Sequence, residues 1–167
     1  MNQENKPKDI NLKEAKDFCL PAINEKGEEF FFCLKDYLDK DKDILLYFYP
    51  KDNTPGCTQE ACDFRDNLNL LKDFAIVVGV SPDSIQSHKK FQAKHNLNFI
   101  LASDPELKVI KEYGAFGEKQ SYGKKTMGVI RSTFIISPKG KIKKFWKNVK
   151  VKGHIIEILK YYELIKS

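Results

Sequence analysis

No stretch of this 167-residue chain approaches the roughly 18 consecutive apolar residues of a membrane-spanning helix. The amino terminus, MNQENKPKDINLKEAKD, lacks the apolar core of a secretory signal, and it is too acidic for an organellar transit peptide. A cytoplasmic location is the default expectation. The four cysteines, Cys19, Cys33, Cys57 and Cys62, show no C-x-x-C spacing, which disfavours a zinc site. In a reducing compartment they also argue against a structural disulfide framework. Arginine is nearly missing: of 29 basic residues only Arg65 and Arg131 are arginine. The net charge of +6 therefore rests on dispersed lysines. The densest run, KGKIKKFWKNVKVK, alternates lysine with Ile142, Phe145, Trp146 and Val149, as a solvated edge strand does. No nucleic-acid-binding motif accompanies it, so that class of partner is disfavoured.

What remains is an ordinary globular composition, 41% hydrophobic and 31% charged. The expectation is one domain over 1–167, with residues 1–12 loose. FCLPAI (18–23) and EEFFFC (28–33) flank a turn and read as a β-hairpin. ILLYFY (44–49), AIVVGV (75–80), FILA (99–102) and STFII (132–136) are unbroken apolar runs, suited to strands buried on both faces. SPKG turns the last of these into the alternating strand KIKKFW. Helices are expected from Cys57 to Leu71, around 84–95, after Asp104-Pro105, and at about 152–165. Strand–helix alternation closed by a hairpin predicts an α/β domain with a central mixed sheet and helices on both faces.

The stretch YFYPKDNTPGCTQEAC (47–62) carries the chemistry. Pro50, Thr54, Pro55 and Gly56 lead directly into a helix that begins near Cys57. That places the thiol in the first helical turn at the carboxyl end of a central strand, where open α/β sheets hold their ligands. Unpaired first-turn N–H groups and the helix dipole both stabilise a thiolate. The Thr54 hydroxyl can donate to that thiolate or to a bound oxygen. Cys57 also lies on the apolar stripe with Ala61 and Phe64, so inert packing competes with catalysis at this point.

Cys62 bears on that choice. Positions five apart on an ideal helix have Cα atoms about 8.7 Å apart. A disulfide needs less than about 7 Å. A Cys57–Cys62 bond therefore requires the helix to unwind, which suits a reversible couple better than a staple. Arg131, just before a buried strand in a chain that otherwise uses lysine, suggests a need for planar, multidentate donation. Arg65 lies about 12 Å along the helix from Cys57 and is a poorer candidate.

The pattern P-x-x-x-T-x-x-C, here Pro50, Thr54 and Cys57, resembles the active-site motif of peroxiredoxins. FYPKDNTPGCTQEACDFRD and YGKKTMGVIRSTFIISPKGKI together resemble the peroxiredoxin Q, or bacterioferritin-comigratory-protein, subfamily from about residue 17 onward. The resemblance implies a thioredoxin-like fold and a thiol peroxidase acting on hydrogen peroxide and alkyl hydroperoxides. Cys57 would be the peroxidatic cysteine, Cys62 the resolving one, and thioredoxin the reductant. Arg131 would hold the thiolate and polarise the peroxide, with Glu60 orienting it. No metal or other cofactor is implied. Resolution within one helix needs no partner subunit, so a monomer is expected. A thiol–disulfide oxidoreductase or redox sensor using the same cysteines, or a non-catalytic binding domain, are the competing readings.

One departure from the subfamily is Ala15-Lys16-Asp17-Phe18, where Ala-Pro usually precedes Asp-Phe; it loosens the entry to the hairpin. Cys19 and Cys33 fall almost opposite each other across that hairpin and are expected as free thiols in a reducing compartment. His88, His95 and His154 read as solvated. Phe145, Trp146 and the C-terminal tyrosines read as packing.

Overall fold

A computed structural model describes residues 12–121 and 123–166. Apart from Leu12, the segment expected to be loose lies outside the described residues. A seven-stranded mixed sheet runs in the order β2-β1-β5-β4-β3-β8-β9. Its strands are β1 (Cys19–Ile23), β2 (Glu29–Cys33), β3 (Asp43–Phe48), β4 (Ala75–Ser81), β5 (Ile100–Ser103), β8 (Ser132–Ile136) and β9 (Ile142–Lys147). β3, β4 and β5 are parallel and central, and the strands outside them run antiparallel. The helices are α1 (Pro55–Leu71), α2 (Ile85–His95), α3 (Lys108–Glu112) and α4 (His154–Tyr161).

The unbroken apolar run of β3 is explained by burial on both faces. Ile44, Leu46 and Phe48 join Val78, Val80 and Phe134 in one core, which α3 covers through Val109 and Ile110. Leu45 and Tyr47 point the other way, into a second core with Ala61 and Phe64 of α1, Phe91 of α2 and Ile158 of α4. β9 is the lysine-rich edge strand that the alternation predicted. Phe145, read as packing, stacks on Phe134 yet stays 55% exposed.

Two expectations need correction. Residues 116–129 form a separate two-stranded hairpin, β6 (Phe116–Ser121) and β7 (Lys124–Val129), where no strand was expected. The sequence KKTMGV has neither an apolar run nor a clean alternation, because both faces of β7 are largely exposed. The second correction concerns the hairpin cysteines, which are bonded to each other rather than free. They form the last rung of the β1–β2 ladder with Cα atoms 4.0 Å apart. Directly opposed residues on paired strands are close enough for a disulfide without any backbone movement.

Candidate active site

The chain leaves β3 at Tyr49, whose N–H still donates to Val80 (3.0 Å), and reverses through Pro50–Thr54. Asn53 supplies the reversal at φ +65°, a left-handed conformation that asparagine tolerates. Thr54 is the extended N-cap residue of α1, Pro55 opens the helix, and the Thr58 N–H donates to the Thr54 carbonyl at 2.8 Å. Cys57 is therefore the third helical residue, with its N–H among the unpaired first-turn donors. Its side chain is buried, 2% exposed, under the second core.

Arg131, between β7 and β8, reaches this thiol from the neighbouring strand. One guanidinium nitrogen, Nη2, donates to Cys57 Sγ at 3.4 Å, and Nη1 donates to Glu60 Oε1 at 2.6 Å. Cys57 and Glu60, three residues apart, lie on one helix face, so a single planar fork spans both. Gly56 makes room, since a Cβ there would sit 3.3 Å from Arg131 Nη2. The Arg131 backbone is held by Val149, whose N–H donates to its carbonyl at 2.9 Å.

Burial pushes the Glu60 carboxyl up to about 7, with Arg131 pulling in the opposite direction. Burial opposes the charge on Arg131, but Glu60 and Cys57 outweigh it and raise the guanidinium above its ordinary value. Tyr47 lies beside these groups: burial first, then the charges of Glu60 and Cys57, hold it well above the usual phenol range. Its ring lies against Gly79, where a Cβ would come within 2.8 Å of it. The Tyr47 hydroxyl and Glu60 Oε2 are buried without hydrogen-bond partners among the described residues.

The structure thus brings Cys57, Arg131 and Glu60 together. The Thr54 hydroxyl, on the N-cap residue of α1, donates to the Lys51 carbonyl at 3.1 Å, not to Cys57. Pro50 shares with Arg131, Ile130 and Asn148 the wall of an open depression of about 380 Å³. Cys62 is half-buried further along α1, and both it and Cys57 are free thiols on an unbroken helix. Arg65 is committed elsewhere: it pairs with Asp66 and donates to the His95 carbonyl at 2.6 Å, clamping α1 to α2.

Two of the histidines expected to be solvated are buried, and one supports the loop between β3 and α1. His88 Nδ1 lies 2.7 Å from Asp52 Oδ2 and Nε2 lies 2.9 Å from the Ala102 carbonyl. Asp52, in the loop before Thr54, also accepts from the Tyr49 hydroxyl (2.6 Å) and the Ser87 hydroxyl (2.8 Å), while its N–H donates to Asp83 (2.7 Å). These bonds tie the loop to α2 and β5. The signal for His88 was its spacing of three from Phe91, which puts it on the buried face of α2. His154 is buried against Thr133 at 2.9 Å, and burial lowers its proton affinity despite Glu157 at 3.0 Å.

Residues 12–145 match the AhpC/TSA family. Peroxiredoxin Bcp of Bacillus subtilis is 50% identical over 127 residues, 75% of this chain and 80% of that protein. A protein of Helicobacter pylori J99 named putative peroxiredoxin bcp is 50% identical over 146 residues, 87% of this chain and 92% of its own. Among solved structures, peroxiredoxin Q of Xanthomonas campestris superposes with a TM-score of 0.81 at 34% identity, covering 93% of this chain and 98% of the other. The mixed sheet, with helices on both faces and an N-terminal hairpin, is accordingly the thioredoxin-like fold.

Proposed function

The chain belongs to the AhpC/TSA family and is a peroxiredoxin, a thiol peroxidase, and from that premise we propose that Cys57 is its peroxidatic nucleophile and Cys62 its resolving partner. The observation that supports this is the Cys57–Arg131–Glu60 constellation at the first turn of α1. The Cys57 thiolate attacks one peroxide oxygen. The O–O bond breaks, and the other oxygen takes a proton and leaves as water or an alcohol, giving a sulfenic acid. Arg131 and the Cys57 N–H donate to the oxygens as charge moves between them. Thr54 joins them once its hydroxyl turns from the Lys51 carbonyl. Glu60 holds the far side of the guanidinium, so the fork stays aimed at sulfur.

Cys62 then attacks the sulfenic sulfur, a disulfide forms and water leaves, which requires the first turns of α1 to unwind. An external dithiol reductant, thioredoxin by the family pattern, restores both thiols by exchange. Hydrogen peroxide and alkyl hydroperoxides are the substrates, and the monomer is the working unit. The burial of Cys57 argues against the competing oxidoreductase reading. A protein disulfide cannot approach a sulfur that is 2% exposed, whereas two peroxide oxygens need little room.

Hydrogen peroxide consumption with thioredoxin, thioredoxin reductase and NADPH tests the scheme. Cys57→Ser is expected to show no turnover. Cys62→Ser is expected to undergo one oxidation and then stop. Normal turnover by Cys57→Ser contradicts the assignment.

A further inference from the structure

The peroxidase scheme uses two of the four cysteines and leaves the Cys19–Cys33 disulfide without a role. The bond is far from Cys57: β5 and β4 lie between β1 and β3, so about 14 Å of sheet separates the two sites. It cannot exchange with Cys57 inside one folded chain.

Its surroundings suit reaction with a partner in solution. β1 pairs with β5 only at Ala22 and Ile23, so among the described residues the Cys19 end of the hairpin continues past the sheet with no paired strand on that side. Cys19 is exposed and Cys33 half-buried. Cys19 also lines an open groove of about 380 Å³ with Asp104 and Lys108. An incoming thiolate can therefore approach the Cys19 sulfur. Because the residues are already opposite each other in register, opening and closing the bond needs no change in strand pairing.

The bond also sits where it has a mechanical consequence. Among the described residues β2 is the outermost strand, bonded on one side only, with Phe31 69% exposed. The far edge of the sheet, β9, is protected by lysines; β2, EFFFC, has none. One end of β2 is held by the Asn24 turn, where Asn24 Oδ1 accepts from the Lys26 and Glu28 N–H groups at 2.9 and 3.0 Å. The disulfide holds the other end.

We propose that Cys19–Cys33 is a second redox centre, independent of the peroxidase pair, whose substrates are external dithiols and whose state decides whether the edge strand β2 is pinned at both ends. In reduction, a reductant thiolate attacks Cys19 Sγ, the Cys19–Cys33 bond breaks, and Cys33 leaves as a thiolate that takes up a proton. The second reductant thiol then displaces Cys19 from the mixed disulfide and carries away the new disulfide. In closure, two thiols and one hydroperoxide give the disulfide, an alcohol or water, and one further water.

The test uses a Cys57→Ser/Cys62→Ser double variant, in which Cys19–Cys33 is the only disulfide that can form within the chain. It is equilibrated, folded, in glutathione buffers from fully reduced to fully oxidised and in excess dithiothreitol. Free thiols are then trapped by alkylation and counted by mass spectrometry. The two cysteines are expected to convert together, as a pair, within that range. The oxidised form should melt roughly 6–12 °C above the reduced form, the effect of closing a loop of this length in a chain of this size. Amides of β2 should exchange more slowly when the bond is closed. Free thiols at every ratio, or a bond that survives dithiothreitol in the folded protein, overturns the redox assignment. Equal β2 exchange in the two forms overturns the pinning. Cys19→Ser alone should keep peroxide turnover within about twofold of wild type; loss of turnover would put the pair inside the peroxidase cycle and overturn its independence.

Discussion

Cys19 and Cys33 face each other across the last rung of an antiparallel ladder and are bonded, whereas Cys57 and Cys62 ride five residues apart on an unbroken helix and are not. In the hairpin the sheet register itself delivers the two sulfurs, so the bond and the secondary structure support each other. In α1 the secondary structure that positions Cys57 also forbids the bond, because the Cα separation of an ideal helix exceeds the disulfide limit by about 2 Å. One pair is therefore bonded to its scaffold's advantage, and the other can be bonded only at its scaffold's expense.

The largest effect should come from the group found only on the helix side. Arg131→Lys replaces the planar fork with a single point charge that cannot span Cys57 and Glu60 together. The rate of Cys57 oxidation in stopped-flow measurements is expected to fall by about 10²–10³-fold, with no change in Cys19–Cys33 exchange. A fall of less than threefold would mean that the fork is not needed.

Glu60 makes the helix side respond to pH. Its folded carboxyl titrates at about 7, above the ordinary 4.5. The folded state therefore binds the extra proton between those values. The corresponding stability is fully present below pH 4.5, declines as pH rises, and is gone above about 7. Relative to Glu60→Gln, the wild type should lose up to about 3 kcal/mol between pH 4.5 and 8 in urea unfolding. Parallel curves for the two proteins would remove Glu60 as the cause.

A smaller effect separates the two scaffolds directly. Gln59 is exposed, three residues before Cys62, and its amide bonds Asp63 at 2.8 Å. Gln59→Gly weakens the helix by about 0.5–1 kcal/mol. It is expected to speed Cys57–Cys62 closure about two- to fivefold, the same energy expressed as a ratio, read as loss of free thiol after a peroxide pulse. The same substitution should leave the Cys19–Cys33 couple unmoved.

The parts of this site that were legible in the sequence were those set by local geometry. The placement of Cys57 in the first helical turn follows from a strand, a Thr-Pro-Gly turn and a helix start, and Arg131 stood out because its chain has almost no other arginine, while the roles expected of both came from the family resemblance. The two-faced burial of β3 followed from its unbroken apolar run. What escaped was set by tertiary contacts or by rotamers. Asp52 acts through Tyr49, Ser87 and His88, which the sequence spreads over some 40 residues and which no local pattern connects. His88 was masked by the polar average of α2, although its spacing from Phe91 marked the buried face. The Thr54 hydroxyl turns to Lys51 by a rotation no sequence encodes. The register of Cys19 and Cys33 was readable, but an assumption about compartment, not geometry, led to the expectation of free thiols.

Amide hydrogen exchange across α1, before and after one equivalent of hydrogen peroxide, tests the coupling most directly. Once Cys57 and Cys62 are joined, amides of residues 58–62 should lose protection while those near Leu71 keep theirs. Cys62→Ser oxidised in the same way should retain protection throughout. A Cys57–Cys62 disulfide formed with the first turns of α1 still protected would contradict the account.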